Sequence, residues 1–321
     1  MSAESSSSTE LMIPHQRELG ESNVEVLARH SRSFRLASHF LPRDRRYDAA
    51  LLYALCRLVD DTADECDDPV RARVQLKSLS EELREERFGR PLVEEFLELC
   101  ERRCLDLSFA MELVQGVESD LEEVIVEDDQ ELLTYCYRVA GTVGLMMCSV
   151  LGVKDREALA FAIDLGIGMQ LTNICRDVLE DARRGRVYLP RTRLEAVGVS
   201  PEELLREEVD EEALATVVKD LLEVADRYYG SGDLGMRFIP WRSRLAIVVA
   251  SQVYRAIGVK LGARGARVME GRTVVSGPGK IFWVIRALMI WVLVSPPFAR
   301  GRPEHEPELH HPLKGLPGVL E

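Results

Sequence analysis

Apolar residues recur three and four positions apart along most of the chain, from about Ser22 to Val294. This spacing is typical of amphipathic α-helices, and no segment shows the alternation of a β-strand. Aromatic residues are only 6% of the chain, whereas Leu, Ala, Val, Glu and Arg recur throughout, a composition that favours helices over sheets. The pattern is clearest in five segments: 51–59, 92–99, 132–153, 159–178 and 214–225. We therefore predict an all-α fold.

Proline and glycine divide this pattern into roughly ten helices. Ser200 followed by Pro201, Glu202 and Glu203 predicts a helix start, since Pro suits the first helical position and acids suit the first turn. No Ser/Gly linker or fixed-period repeat interrupts the middle, so residues 22–294 are predicted to form one helical domain. The predicted breaks are Pro42, 67–69, 89–91, Gly152, 185–190, 200–201, 230–232 and 276–279.

The two ends of the chain differ from the middle. The start, MSAESSSSTE, is Ser-rich and acidic with no apolar run, which indicates a disordered tail over residues 1–21 rather than a signal peptide. Residues 295–321 are rich in Pro, Gly and His, and we predict a flexible C-terminal tail. His310 and His311 are then expected to be solvated.

The stretch 281–294, IFWVIRALMIWVLV, is the most apolar part of the chain. It is too short, and too interrupted by Arg286, to predict a membrane span. Two interpretations remain. One is a buried terminal helix, and the other is a helix lying on a membrane surface with Trp283 and Trp291 near the lipid headgroups.

Charge and cysteine usage exclude some classes of function. The net charge of −13 argues against nucleic acid as a partner, because phosphate backbones require a positive surface. A phosphorylated ligand is still compatible, since metal ions bridge two anions. Cys100 and Cys104 lack the second pair or the histidine of a zinc site. The seven cysteines therefore indicate reduced thiols in a cytoplasmic protein.

The first candidate site is a stripe of polar residues on one predicted helix. Tyr53, Arg57, Asp60 and Asp64 lie at i, i+4, i+7 and i+11, so all four share a face. Two carboxylates one turn apart repel each other and destabilise the helix. A divalent cation would remove this repulsion, but an acidic, solvated surface turn explains the same pattern.

A second stripe lies on a later helix. Gln170, Asn173, Asp177 and Asp181 again repeat at i, i+3, i+7 and i+11. Their oxygen atoms suit a hard cation such as Mg²⁺. Gly166 and Gly168 disfavour helix, which indicates that a ligand or another helix passes closely.

A basic turn follows the second stripe. Arg183, Arg184 and Arg186 would grip a diphosphate through their guanidinium groups, although pairing with the helix C-terminus explains them as well. Two stripes facing each other across a bundle would hold metal ions against a diphosphate. Metal and arginine would then stabilise diphosphate as it leaves, and the resulting allylic cation would need a dry cavity.

These motifs resemble the squalene/phytoene synthase family over about residues 22–280. The resemblance rests on the aspartate motif 60–64, on the second motif 173–181 with its extension 183–190, and on the segments His30–Phe34 and Tyr135–Gly144. It implies an all-α isoprenoid-synthase bundle with a central cavity. The run 139–144 resembles the small-residue wall of that cavity, and it is equally explained by tight helix packing.

The resemblance also implies a role for each matching residue. Catalytic roles fall to Asp60, Asp64, Asp177, Asp181, Tyr135 and Tyr188. Binding of Mg²⁺, with Mn²⁺ as an alternative, falls to Asp60, Asp64, Asn173, Asp177 and Asp181. Substrate binding falls to Ser31, Ser33, Phe34, Tyr53, Arg57, Gln170, Arg176, Tyr254 and Arg272.

The activity that the resemblance implies is a head-to-head condensation of two prenyl diphosphates. The segments around Tyr228, 242–247 and 253–258 look more similar to bacterial phytoene synthases, which join two geranylgeranyl diphosphates without NADPH. Two alternatives stay open: a squalene-type enzyme that uses farnesyl diphosphate, with or without NADPH, and a non-catalytic relative acting in protein assembly. A cytoplasmic protein, with the option of peripheral contact at the inner face of the membrane, is expected. The oligomeric state stays open.

Overall fold

The computed structural model describes residues 36–64, 66, 68–85, 89–274, 276–295 and 301–320. In this part of the chain, α-helices and short helical turns form nearly all of the regular structure. The α-helices are α1 (Arg43–Asp64), α2 (Pro69–Arg84), α3 (Pro91–Arg103), α4 (Leu107–Glu118), α5 (Asp129–Cys136), α6 (Thr142–Leu151), α7 (Ala158–Arg183), α8 (Arg191–Ala196), α9 (Pro201–Leu205), α10 (Glu211–Gly235), α11 (Trp241–Ala263) and α12 (Gly277–Leu293).

The prediction of an all-α fold is confirmed. The strands of the described residues are β1 (Val124–Ile125) and β2 (Arg186–Val187), which pair in parallel. The predicted start at Ser200 is also correct. Its hydroxyl accepts a hydrogen bond from the amide of Glu203, and the Glu203 carboxylate accepts one from the amide of Ser200, which satisfies two backbone donors at the helix end.

Helix α7 is the central element of the bundle. It packs most extensively against α10 and also contacts α6 and α11. The predicted break at 230–232 is wrong, because α10 continues through it to Gly235. A Cβ atom placed on Gly232 would lie 3.0 Å from Cβ of Leu165 on α7. This glycine therefore permits close helix packing rather than ending the helix.

A π-helical turn, Tyr137–Gly141, joins α5 to α6 and presses directly on α7. A Cβ atom on Gly166 would lie 2.3 Å from the carbonyl oxygen of Ala140, and one on Gly144 would lie 2.3 Å from that of Ala162. The two backbones thus meet without side chains between them. Close approach of a helix, one of the two reasons predicted for Gly166, is confirmed.

The C-terminal segment 301–320 packs on the bundle, which differs from the predicted flexible tail. Its 3₁₀ helix, Pro307–Leu313, buries Leu309, His310 and Leu313. The hydroxyl of Tyr228 donates to the carbonyl oxygen of Leu309 at 2.9 Å. Two leucines four residues apart supply an apolar face, and the surrounding Pro and His residues obscure this short pattern in the sequence.

Helix α12 is buried on one side only. Ala287 is fully buried against the neighbouring helices, and Trp283 packs on the buried pair Ala256 and Ile257. The opposite face is exposed and apolar, so the interpretation as a buried terminal helix holds for one side alone. The exposed residues are Ile281, Phe282, Ile285, Leu288, Met289, Val292 and Leu293.

Two glycine substitutions test the close contact between α7 and the π-helical turn. We expect Gly166→Ala to destabilise the protein by about 1–3 kcal/mol, because the added methyl group would overlap the backbone of Ala140. Gly230→Ala on α10 is the matched control, since no atom of the described residues lies within 4 Å of its added Cβ, apart from its own helix backbone and chain neighbours. It should stabilise by about 0.5–1 kcal/mol. Equal changes in thermal unfolding for the two variants would contradict the contact.

Candidate active site

The two predicted stripes face each other across a polar cavity of about 170 Å³. Helix α1 contributes Asp60 and Asp64, and α7 contributes Asn173, Asp177 and Asp181. The five predicted metal ligands therefore line a single cavity. Arg57, Gln170, Tyr135 and Tyr188 line it as well.

The arginines of the basic turn after α7 point in two directions, some toward this cavity and one toward the surface. Guanidinium nitrogens of Arg184 and Arg186 each lie 3.0 Å from a carboxylate oxygen of Asp64, so they link the end of α7 to α1. Arg183 points elsewhere and pairs with Glu207 at 2.8 Å. Two of the three arginines thus line the polar cavity, and their binding of diphosphate stays a prediction.

Two further arginines converge on Asp177. Nε of Arg176 lies 2.7 Å from Oδ1 of Asp177, and Nε of Arg272 lies 3.0 Å from the same oxygen. Arg272 comes from the loop between α11 and α12. The fold therefore brings this residue, which is distant in sequence, next to the second motif. On α1, Arg57 contacts Asp61 and lies 4.0 Å from Asp60.

Two of the carboxyl groups in this cavity have raised pKa values. Burial raises the pKa of Asp60 to about 7, and the nearby Asp64 adds to the effect. Burial and the charge of Asp177 raise the pKa of Asp181 to about 7. Without a bound cation, each of these two carboxyl groups is therefore about half protonated at pH 7.

Asp120 is a site residue that the sequence stripes do not reveal. Its carboxylate accepts hydrogen bonds from the hydroxyls of Tyr135 at 3.0 Å and Tyr188 at 2.7 Å. The two rings stack with their centroids 4.7 Å apart. Burial raises the pKa of Asp120 to about 6. It lies in a three-residue 3₁₀ turn, Ser119–Leu121, which is too short to produce a helical period.

An apolar cavity of about 460 Å³ adjoins the polar one. Both are lined by Arg57, Asp60, Gln170 and Asn173, so the polar cavity forms its charged end. Tyr53 and Tyr254, which are predicted to bind substrate, line the apolar cavity. Its wall also contains small and aliphatic residues from the π-helical turn, α6 and α7: Val139, Ala140, Val143, Gly144, Ala162, Leu165 and Gly166.

The polar cavity fits a divalent cation bound by oxygen. Oδ1 of Asn173 is buried and has no hydrogen-bond partner among the described residues, whereas its Nδ2 donates to Gln170 at 3.3 Å. A buried oxygen without a partner is costly. It lines the same cavity as five carboxylates, and oxygen atoms of these kinds are the donors that hard cations prefer. The predicted substrate ligands Ser31, Ser33 and Phe34 lie outside the described residues.

Comparisons with known proteins point to one family. The family model described as Squalene/phytoene synthase matches residues 27–278. The chain is 35% identical over 276 residues to 15-cis-phytoene synthase of Pantoea ananas, a match that spans 82% of the chain and 89% of the relative. It is 38% identical over 246 residues to phytoene synthase of Thermus thermophilus, spanning 75% and 83%.

Solved structures show the same fold. A dehydrosqualene synthase in complex with ligand matches with a TM-score of 0.74 and 25% identity, over 83% of this chain and 94% of that one. A squalene synthase from Alicyclobacillus acidocaldarius matches with a TM-score of 0.66 and 22% identity, over 76% and 94%. The isoprenoid-synthase helical fold is therefore shared.

The raised pKa values predict that cation binding depends on pH. Asp60 and Asp181, with pKa values of about 7, are mostly protonated at about pH 6, and a divalent cation must displace those protons. We expect Mg²⁺ affinity to fall by about ten-fold for each such carboxyl between about pH 8 and pH 6. Calorimetry in buffers of different ionisation enthalpy should record proton release, which Asp181→Asn should reduce. Equal affinity at both pH values would contradict the charge assignment.

Proposed function

Because the chain belongs to the squalene/phytoene synthase family, we propose that it condenses two geranylgeranyl diphosphates head to head into phytoene, in carotenoid biosynthesis. The reaction passes through a cyclopropylcarbinyl diphosphate intermediate and needs no NADPH. The observation that carries the proposal is the junction of the carboxylate-lined cavity with the larger apolar one. Relatives named phytoene synthase, 35% and 38% identical, support the choice of product.

The polar cavity would hold the diphosphate groups. Mg²⁺, or alternatively Mn²⁺, bound by Asp60, Asp64, Asn173, Asp177 and Asp181 would neutralise charge on the leaving diphosphate. Arg57 and Gln170 lie where both cavities meet, so they would contact the diphosphate end of the substrate. Arg176 and Arg272, both paired with Asp177, would turn toward the same group once a cation shares that carboxylate. Ser31, Ser33 and Phe34 complete the proposed substrate-binding set.

The apolar cavity would protect the carbocation that remains. Its aliphatic wall excludes water, which would otherwise quench the cation. Tyr53 and Tyr254 offer aromatic faces at this wall, and such faces attract a cation. Asp120 holds the hydroxyls of Tyr135 and Tyr188. These two tyrosines thus keep a fixed orientation beside the diphosphate, at the charged end of the chamber.

The squalene-type alternative differs in substrate length and in the reductant. Both predicted motifs are intact in the sequence, which argues against a non-catalytic relative acting in assembly. The assay that separates the enzymes supplies either geranylgeranyl or farnesyl diphosphate, with and without NADPH. We expect phytoene from the longer substrate alone, with no effect of NADPH. If only farnesyl diphosphate gives a product, the squalene-type alternative is favoured.

Removing one carboxylate from each helix tests the site. We expect Asp64→Asn and Asp177→Asn each to lower turnover by about 100-fold or more, since each removes charge beside the leaving group. Asp220→Asn is the matched control, because Asp220 is exposed on α10, outside both cavities. Circular dichroism checks the fold. Full activity in either site variant would contradict the assignment.

We also propose that residues 281–294 bring the protein to a membrane surface. Helices α7 and α11 are long and apolar enough to span a membrane, yet 67% and 61% of their most apolar windows are buried in the bundle. Helix α12 instead presents exposed apolar side chains, with Phe282 63% and Met289 58% exposed. A hydrocarbon product and a prenyl substrate are themselves lipids, so an apolar face offers contact with the phase that holds them.

Liposome flotation tests this contact. We expect the double substitution Phe282→Ser and Met289→Ser to lower liposome binding by at least about ten-fold, because it removes two large exposed apolar side chains from the face. Val74→Ser is the control, since Val74 is 62% exposed but lies on α2. Activity on detergent-dispersed substrate should be unchanged. Equal flotation of all three proteins would contradict the membrane role of α12.

A further inference from the structure

A second cluster of metal-ligating side chains lies outside the active site. Asp164 of α7 meets His305 and His310 of the C-terminal segment, and their ligand atoms all lie within 4.8 Å of one another. Nε2 of His305 is 2.8 Å from Oδ2 of Asp164, and Nε2 of His310 is 2.9 Å from Oδ1. Both imidazoles therefore direct the same ring nitrogen at one carboxylate.

The cluster is buried, and neighbouring side chains contact it. Asp164 is fully buried, His310 is 4% exposed, and the side chain of His305 is 16% exposed, which leaves a route from solvent. The hydroxyl of Ser231 on α10 donates to Oδ2 of Asp164 at 2.5 Å. The ring of Phe161 meets the His305 ring edge to face, with centroids 5.3 Å apart. Asp164 is thus oriented by a side chain outside the set of ligands, as carboxylates at metal sites are.

We propose that Asp164, His305 and His310 bind a transition-metal ion of the Zn²⁺ class. Two imidazoles and one carboxylate are a donor set that suits zinc and neighbouring metals, whereas Mg²⁺ prefers oxygen alone. A divalent cation also supplies positive charge beside a carboxylate that is buried away from water. Zinc lies about 2.0–2.2 Å from such donors, so the N···O separations would open by a few tenths of an ångström on binding.

The position of the cluster indicates a structural role. Asp164 and Ser231 lie on the two long helices that form the centre of the bundle, whereas both histidines lie more than 140 positions away from Asp164 along the chain. A bound ion would link segment 301–320 to α7 through Asp164, beside the contact that α7 makes with α10. Phe161, one turn before Asp164, lines the apolar cavity, so the ion would also support that wall from outside. The carboxylate cavity contains none of these residues.

Metal retention by the full chain, purified without a histidine tag, tests the proposal. The protein is stripped with chelator, saturated with Mg²⁺ to fill the carboxylate cavity, and mixed with Co²⁺ or Zn²⁺ before gel filtration. We expect about one equivalent of Co²⁺ to be retained, with a visible absorption band that Mg²⁺ cannot give. Zn²⁺ should raise the thermal unfolding temperature. His305→Ala should weaken binding by at least about ten-fold.

Two variants make the result decisive. His310→Ala should abolish retention, whereas His311→Ala should retain the ion, because His311 is exposed beside His310 in the same turn. Circular dichroism verifies that each variant is folded, and substitution of the less deeply buried His305 offers a milder change if the His310 variant unfolds. Wild-type protein that retains no more Co²⁺ than His310→Ala would overturn the proposal and leave a hydrogen-bonded cluster without metal. Equal loss in His311→Ala would overturn it as well.

Discussion

Burial of carboxylates from two facing helices in one cavity is the constraint on which the site depends. Asp60 and Asp64 on α1 share this cavity with Asp177 and Asp181 on α7, and a buried carboxylate loses the water that stabilises its charge. Two arginines that follow α7 offset part of this charge at Asp64. Burial, with neighbouring carboxylates adding to it, raises the pKa values of Asp60 and Asp181 to about 7. The bundle therefore holds an unfavourable arrangement that a bound divalent cation would relieve.

The apolar core supplies the rigidity that this arrangement needs. Helix α7 is in contact with α6, α10 and α11, and its polar face is only a stripe on an otherwise buried helix. Gly144 and Gly166 let the π-helical turn and α6 meet α7 backbone to backbone. Side chains that could shift are absent at these contacts, so α7 is held tightly. The residues at these contacts also line the apolar cavity. The same residues therefore determine both the helix packing and the shape of the cavity.

Much of the site could be predicted because it follows helical periodicity. Arg57, Asp60 and Asp64 repeat with the period of α1, and the stripe on α7 does the same, so the sequence indicates which side chains share a face. That the two faces meet depends on tertiary packing, and only the paired motifs suggested it. Asp120 lies in a short turn and has no period to reveal it. Its role depends on two tyrosines that the fold brings together.

Other errors have equally specific causes. The break predicted at 230–232 treated glycine as a helix breaker, whereas Gly232 serves the contact with Leu165. From the sequence, Arg183 is grouped with Arg184 and Arg186, but Arg183 is the last residue of α7 whereas Arg186 lies in β2. Arg183 pairs with Glu207 instead. The C-terminal segment was predicted to be flexible from its composition. His310 contacts a buried carboxylate 146 positions away in the sequence, and a local sequence pattern cannot indicate such a contact.

The π-helical turn affects which kinds of mutation can alter this part of the protein. In the turn Tyr137–Gly141, the amide of Thr142 bonds to the carbonyl oxygen of Tyr137, five residues back, so this turn holds one residue more than an α-helix would. Because this extra residue is contained within one turn, loss of a single codon here would restore a regular helix while the segments on either side keep their orientation. Gly144 would then still face Ala162, and the change would be confined to the turn itself. A one-residue deletion is therefore a route for remodelling this side of the chamber that a regular helix would not offer.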